Sequence, residues 1–372
     1  MAAPHPLLVP LIGGEPVPDD AVVTIDVVRS AEEHGVAAFL DAVVTERGLA
    51  TSPPQVKQLL AMNVLETTHE NRNAMIAIDH LQDAAASLGV EVAIFKGVAV
   101  GARFHPNPEL RRTIDVDAFV DPGCLDRMGD LAVSLGATEH FGAAIDSMVA
   151  EGRAFEVPLP TNGTSVDLHR DPMNMVLPSV REQDRWDRTI TVALPNGGKV
   201  RTLDLEDTVI QALLHLFRDN FADLLHCWDV RLMFDAGPDW DEVERRTAVD
   251  GWTDIVRYAA WFVADTFGMD PPLPTSITRW RRAVIQAVWP RDLLLQGARS
   301  ITRSDRRQSA LSLLTAQRPA ALAAAYGRRL FPPRSVIELR SGRTGLSYPF
   351  ALADWRMGQR RALAAWKAEA GE

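Results

Sequence analysis

The chain has 372 residues, of which 47% are hydrophobic, so it is long enough for two or three domains with sizeable cores. Its net charge of −10 argues against a general nucleic-acid-binding protein. The N-terminus is broken by prolines and lacks a basic segment, and no apolar run has bilayer length, which argues against secretion and membrane insertion. Only two cysteines, Cys124 and Cys227, are present and they lie far apart in sequence, so we expect a protein of the reducing cytoplasm; no Cys/His cluster has zinc-ligand spacing.

Residues 1–90 are predicted to form an N-terminal helical segment. After an irregular lead-in up to Asp26, residues 30–46 and 54–86 have the apolar spacing of helices. The apolar residues that recur in the longer stretch are Leu59, Leu60, Val64, Leu65, Met75, Ile76 and Leu81. We expect this segment to pack against the sheet that follows.

Residues 91–205 are predicted to form a core with a small mixed β-sheet, which gives the chain an α+β fold. A short apolar strand, Val92–Phe95, precedes a glycine turn and a short helix over residues 98–104. A second β-prone run covers Ile114–Val120, and a helix lies near residues 125–135. Two hairpins follow, with strands at 155–159 and 165–169 and then at 190–194 and 200–203.

Two aspartates, Asp115 and Asp117, lie two residues apart in the second of these strands. Alternate residues of a strand point to the same face, so both carboxylates are expected on one face and Val116 on the other. Like charges at that distance repel, and carboxylate oxygens are the ligands that Mg²⁺ prefers. The spacing alone is weak evidence for a metal site, because it recurs at Asp239 and Asp241.

The second strand of the first hairpin also carries an aspartate. It alternates so that Ser165, Asp167 and His169 share one face while Val166 and Leu168 point into the core. Taken alone, this pattern is that of a hairpin whose polar face is solvated.

A string of short motifs runs through this core: Lys96-Gly97, Phe104-His105-Pro106-Asn107-Pro108, Leu110-Arg111, Asp115-Val116-Asp117 and Asp167-Leu168-His169. In this order they resemble the uncharacterised nucleotidyltransferase family of the polymerase-β-like superfamily, over residues 92–171. One position departs from the superfamily. A serine that contacts phosphate normally follows the glycine of the first turn, whereas Val98 stands here and cannot donate that hydrogen bond.

The resemblance implies transfer of a nucleoside monophosphate from an NTP, with ATP the first candidate, and release of pyrophosphate. Asp115, Asp117 and Asp167 would be the catalytic residues and would bind two Mg²⁺ ions. The residues that would bind the nucleotide phosphates are Lys96, Gly97 and Arg111.

The resemblance leaves the acceptor open. Family members often occur beside natural-product or peptide-modification genes, so a small metabolite, a peptide or a protein is expected, rather than a nucleic acid or a membrane. Two other interpretations remain open: a metal-dependent glycosyltransferase, or a non-catalytic, nucleotide-responsive binding or scaffold protein. Hydrolysis of nucleotide sugars would indicate the first, and partner binding that survives loss of the aspartates would indicate the second.

Residues 206–372 are predicted to form a helical C-terminal domain, with helices at 207–221, 224–235, 241–247, 253–267, 276–287, 309–315 and 351–368. His215 stands out among its polar residues, and Asp229 and Arg231 would form either a buried ion pair or a wall of the acceptor cleft. Residues 279–372 contain 18 Lys and Arg against 6 Asp and Glu. These cations would pair with the acidic part of the molecule or bind a phosphate-bearing acceptor.

Overall fold

The described part of the chain combines helices with small β-sheets, which confirms the predicted α+β class. A computed structural model describes residues 4–150, 156–161, 164–173, 182–219 and 221–273, with isolated positions between 337 and 357. The predicted helices at 276–287 and 309–315, most of the one at 351–368, and nearly all of the arginine-rich segment lie outside the described residues. Among the helices that are described, none combines the length and the apolar character needed to cross a bilayer.

Four helices precede the main sheet, and two short parallel strands pair among them. The helices are α1 (Leu8–Gly13), α2 (Ile25–Glu33), α3 (Ala37–Arg47) and α4 (Gln55–Leu88), and the strands are β1 (Val22–Val23) and β2 (Ala50–Thr51). Helix α4 has 34 residues with neither glycine nor proline among them. It ends where Gly89 adopts a positive φ of 63°, a conformation that glycine supplies at helix C-termini.

The main sheet has four strands in the order β3-β4-β6-β5. They are β3 (Val92–Phe95), β4 (Asp115–Val120), β5 (Glu156–Thr161) and β6 (Thr164–His169). The two central strands, β4 and β6, run parallel, while β3 and β5 pair antiparallel with β4 and β6 respectively. The predicted first hairpin is therefore β5–β6, and its second strand lies beside the strand that carries the aspartate pair.

Short helices and a second hairpin surround this sheet. They are α5 (Gly97–Phe104), α6 (Met128–Ser134), α7 (Glu139–Ala150) and α8 (Glu182–Asp187), with the antiparallel pair β7 (Ile190–Ala193) and β8 (Lys199–Thr202). Alternation gives the main sheet two different faces. On one face Val116 and Leu168 pack with Leu81 of α4 in a shared apolar cluster, and on the other Phe119 packs on Trp186, with ring centroids 5.4 Å apart.

Four helices follow the second hairpin: α9 (Leu205–Arg218), α10 (Leu224–Asp235), α11 (Trp240–Asp250) and α12 (Thr253–Thr266). The first three begin at an aspartate whose side chain accepts a hydrogen bond from the backbone N–H three residues on, as a helix N-cap does. These caps are Asp204, Asp223 and Asp239. The Asp239/Asp241 pair, which repeats the aspartate spacing of β4, is thus explained by the start of a helix.

The N-terminal helices divide between two hydrophobic cores. Helices α1–α3 and the first half of α4, through Val56 and Leu60, share one core with α9–α12. The second half of α4, through Ile78 and Leu81, packs with the main sheet in the other core. Only the end of the N-terminal segment therefore contacts the sheet as expected, because the rest buries its apolar faces against the C-terminal helices.

A buried polar network joins α10 to the loop before β4. Asp229 of α10 accepts a hydrogen bond from Arg111 Nη2 at 2.7 Å and contacts His105 Nε2 at 2.7 Å, and all three residues are buried. Burial alone would raise the pKa of Asp229, but the charge of Arg111 and the hydrogen bond from His105 hold it well below its usual range. Arg231 pairs instead with Asp235, one turn further along α10. Asp229 thus forms a buried ion pair, with a partner distant in sequence.

We predict that Asp229→Ala lowers the free energy of unfolding by about 3–5 kcal/mol, because the change leaves Arg111 buried without a counter-charge. Urea unfolding at neutral pH measures this. The matched control is Glu91→Ala, which removes a carboxylate from an exposed pair with Arg201 and is expected to cost less than about 1 kcal/mol. Similar losses for both variants would contradict a special role for the buried pair.

Candidate active site

The turn between β3 and α5 holds its backbone in a rare conformation. Lys96 has φ 59° and ψ −155°, which L-residues seldom adopt and which costs about 1–3 kcal/mol. Gly97 follows with φ 33°, and a Cβ on it would lie 2.9 Å from the side chain of Thr113, so the close approach to that loop requires glycine. Such strain persists only where the surrounding structure enforces it. Here it directs the Lys96 side chain towards β4.

Three carboxylates lie on one face of the main sheet. In the parallel pairing of β4 and β6, Asp117 lies opposite Asp167, and Asp115 lies opposite Ser165. Asp115 and Asp117 share a face because they are two residues apart on one strand. The structure thus brings together the three aspartates that the sequence singled out, at the centre of the sheet.

Asp117 is the most constrained of the three. Lys96 Nζ donates to its Oδ1 at 2.7 Å, and His169 Nε2 lies 2.8 Å from the same oxygen. Burial alone would raise the pKa of Asp117, but the Lys96 charge and the His169 hydrogen bond hold it well below its usual range. The negative charge of Asp117 is therefore neutralised by the ammonium group of Lys96.

The other two carboxylates lack such compensation. Burial and the charge of Asp117 raise the pKa of Asp115, against the weaker opposing charges of Lys96 and His226. Burial also raises the pKa of Asp167, although Ser165 Oγ donates to it at 2.8 Å. A bound cation would stabilise the ionised forms of Asp115 and Asp167 and so offset the effect of burial on both carboxylates.

The three carboxylates fit Mg²⁺, because they offer hard oxygen ligands on one face of the sheet. A cation there would also neutralise the negative charge that is unfavourable at Asp115. Within the described ranges, no three His, Cys, Asp or Glu side chains converge as a ready-made metal cluster. The side chain of Asp117 is turned towards Lys96 and His169 instead. Holding a metal at these residues would require that side chain to exchange its lysine partner for the ion.

Arg111, a predicted phosphate ligand, has its side chain engaged by Asp229. Its guanidinium is 4% exposed and forms two hydrogen bonds with Asp229, Nη2–Oδ2 at 2.7 Å and Nε–Oδ1 at 3.2 Å. Its neighbour Arg112 pairs with Glu70 of α4 at 2.9 Å. The geometry therefore gives Arg111 a buried ion pair with Asp229, and its role towards phosphate stays a prediction.

Cationic side chains from α9 and α10 also lie within electrostatic range of this face. Burial opposes the charged form of Arg218, but Asp219, with smaller contributions from Glu156 and Asp117, outweighs it and raises the pKa of Arg218. Arg218 Nη1 lies 3.9 Å from Glu156 on the neighbouring strand β5. Sequence reasoning noted His215 but missed His226 and Arg218. The capping pattern Asp223-x-x-His226 was the available signal.

His226 is held as a cation. Asp223 Oδ2 lies 2.9 Å from its Nδ1, while Asp223 Oδ1 accepts from its backbone N–H at 2.9 Å. Burial opposes the charged form, but Asp223 outweighs it and raises the pKa of His226 to about 9. The ring packs edge-on against His215, with centroids 4.8 Å apart. Burial lowers the pKa of His215 well below its usual value, and Arg218 Nη2 donates to its Nδ1 at 2.9 Å.

A cavity of about 290 Å³ lies apart from these residues, between α2, α3 and α4. Its polar lining comes from Glu32, Asn63, Glu66, Thr67 and Arg112, none of which belongs to the carboxylate face.

Comparison with known proteins agrees with the motifs and the sheet. A family described as an uncharacterised nucleotidyltransferase has a model that matches residues 24–268, which include the main sheet and helices α9–α12. No curated protein and no solved structure matches the chain. Because the family match covers more than half of the chain and supports a general nucleotidyl-transfer function, this protein belongs to the uncharacterised nucleotidyltransferase family.

Proposed function

We propose that the protein transfers a nucleoside monophosphate from an NTP, with ATP the first candidate, to an acceptor and releases pyrophosphate. The observation that carries this proposal is the placement of Asp115, Asp117 and Asp167 on one face of two paired parallel strands. The family supports the reaction type. The choice of ATP rests on the resemblance alone.

The three aspartates are the proposed metal ligands. Two Mg²⁺ ions bound there would neutralise the triphosphate and activate the α-phosphorus towards in-line attack. Asp167 lies on β6, the strand that pairs with the edge strand β5. We assign Asp167 a second role, which is to take the proton of the acceptor. The catalytic residues of the proposal are therefore Asp115, Asp117 and Asp167.

Lys96 has two successive partners in this proposal. Without substrate its ammonium group neutralises Asp117 at 2.7 Å. With metal and nucleotide present, the same ammonium group is released to bind a phosphate oxygen, a contact that the superfamily obtains from the serine replaced here by Val98. Gly97 allows the backbone of this turn to lie close to the nucleotide.

The acceptor is proposed to be a small metabolite, a peptide or a protein, rather than a nucleic acid. We also propose a reducing, cytoplasmic setting, in which free cysteines such as Cys124 and Cys227 persist. A non-catalytic, nucleotide-responsive role remains the second candidate, because Lys96 occupies Asp117 and no serine follows Gly97. The two candidates differ in whether covalent transfer occurs.

Asp115→Asn and Asp117→Asn are expected to change stability in opposite directions. The pKa of Asp115 is raised in the folded state, so its contribution to stability falls as pH rises through that pKa, and its removal at pH 7 should leave stability equal or higher. Asp117→Asn should destabilise, because Lys96 and His169 lose their charged partner. Thermal melting without ligands compares the two.

Both variants should lose the rise in melting temperature that Mg²⁺ with ATP gives the wild-type protein. Asp83→Asn, an exposed aspartate on α4, is the matched control and should keep that rise. A wild-type protein without any metal-dependent response to ATP would contradict the proposed nucleotide site.

The position of the transferred label separates nucleotidyl transfer from kinase and ATPase chemistry. With ATP labelled at the α- or γ-phosphate and mixed with candidate peptides and metabolites, only the α-label should reach product. The product should gain the mass of a nucleoside monophosphate group, as measured by mass spectrometry. Transfer of the γ-label, or release of inorganic phosphate without a modified product, would refute the proposal.

A further inference from the structure

Two cationic side chains on the helices after the sheet have no role in the metal site. We propose that His226 of α10 and Arg218 of α9 bind the terminal phosphates of the nucleotide, a role that rests on the nucleotidyl transfer proposed above. The ligand class is a nucleoside triphosphate. The β- and γ-phosphates would lie between the carboxylate face and these two helices.

The charge balance of the site requires additional cations. A triphosphate would bring about four negative charges to a face with three carboxylates, and two Mg²⁺ ions together with Lys96 would not fully neutralise that sum. From the sheet side, Lys96 is the cation in contact with this face among the described residues. Arg111 is committed to Asp229, and Val98 offers no donor in place of the serine. Among the described residues, the helices α9 and α10 offer further cationic side chains, Arg218 and His226.

Contacts connect these two side chains to the carboxylate face. Arg218 Nη1 lies 3.9 Å from Glu156 of β5, whose carboxylate lies 4.0 Å from His169, and His169 contacts Asp117 at 2.8 Å. The rings of His215 and His226 pack 4.8 Å apart, and Arg218 donates to His215. One contiguous polar cluster therefore connects the two helices beside the sheet.

Arg218 and His226 are each oriented by an aspartate close to them in sequence. Asp219 accepts from Arg218 Nε at 3.1 Å, and Asp223 contacts His226 Nδ1 at 2.9 Å. With Nδ1 occupied by Asp223, the second nitrogen of His226, Nε2, is the ring atom available to donate towards a phosphate. The side chain is 30% exposed, so a ligand can reach it.

The backbone of α10 fixes the position of His226. Asp229 lies three residues after His226, on the same side of the helix, and is anchored to Arg111 beside the sheet. The turn before α10 contains Phe221, which has a positive φ of 54° and is fully buried. Strain of about 1–3 kcal/mol at this non-glycine residue persists because aromatic packing enforces it.

The test compares the binding of two ligands by the full-length protein in the presence of Mg²⁺. One ligand is the α,β-methylene analogue of ATP, which cannot release pyrophosphate, and the other is AMP, which lacks the terminal phosphates. His226→Gln should weaken binding of the ATP analogue about tenfold or more, the effect of losing a charge-assisted hydrogen bond. Binding of AMP should change by less than about twofold.

Two further variants distinguish a lost phosphate contact from a loss of folding. His226→Lys retains a cation and should restore much of the preference for the ATP analogue, while Arg218→Gln should repeat the selective loss. The backbone cap from Asp223 is kept in both His226 variants, because it uses the main-chain N–H. His80→Gln, an exposed histidine on α4, is the matched control and should behave as wild type.

The outcomes separate this inference from the proposed function. Equal losses for AMP and the ATP analogue, or no loss in His226→Gln and Arg218→Gln, would overturn the phosphate role even if Asp115→Asn abolishes metal-dependent binding. A wild-type protein that binds neither ligand would overturn the proposed function and this inference together. A selective loss for the ATP analogue, restored by lysine, supports the inference.

Discussion

The pairing of β4 with β6 is the constraint on which the candidate site depends. Its register places Asp117 beside Asp167, with Asp115 on the same face. The strands cannot slide to separate these charges, because a shift by one residue would move the buried side chains of Val116 and Leu168 out of the core. Apolar packing on one face of the sheet therefore maintains electrostatic repulsion on the other, and cations must relieve it.

Those cations come from distant parts of the chain. Lys96 reaches the face from a strained turn, whereas Arg218 and His226 approach from two helices that fold against the N-terminal helices. The carboxylates of the sheet are thus bordered by cationic side chains. Two of these cations, Arg218 and His226, are themselves paired with aspartates, Asp219 and Asp223.

Local patterns predicted much of the fold. Alternation placed the aspartates of β4 and β6 on one face, and helical spacing gave α10 its bounds of Leu224–Asp235. Such features depend on residues a few positions apart. The partner of Asp229 was not predictable in this way, because Arg111 lies 118 residues earlier, whereas Arg231 was the nearer and plausible choice. The core shared by α1–α3 and α9–α12 escaped prediction for the same reason, since periodicity shows which face is buried but not against what.

Helix α4 connects the two hydrophobic cores of the described structure. Its 34 residues extend roughly 50 Å, and its two halves are embedded in different cores, one with α9–α12 and one with the sheet. Without an internal glycine or proline, the rod has no built-in point at which to kink. The two cores are therefore connected by one continuous helix without an internal breaker. We expect a bound nucleotide to be accommodated by movement of side chains such as Lys96, rather than by bending of this helix.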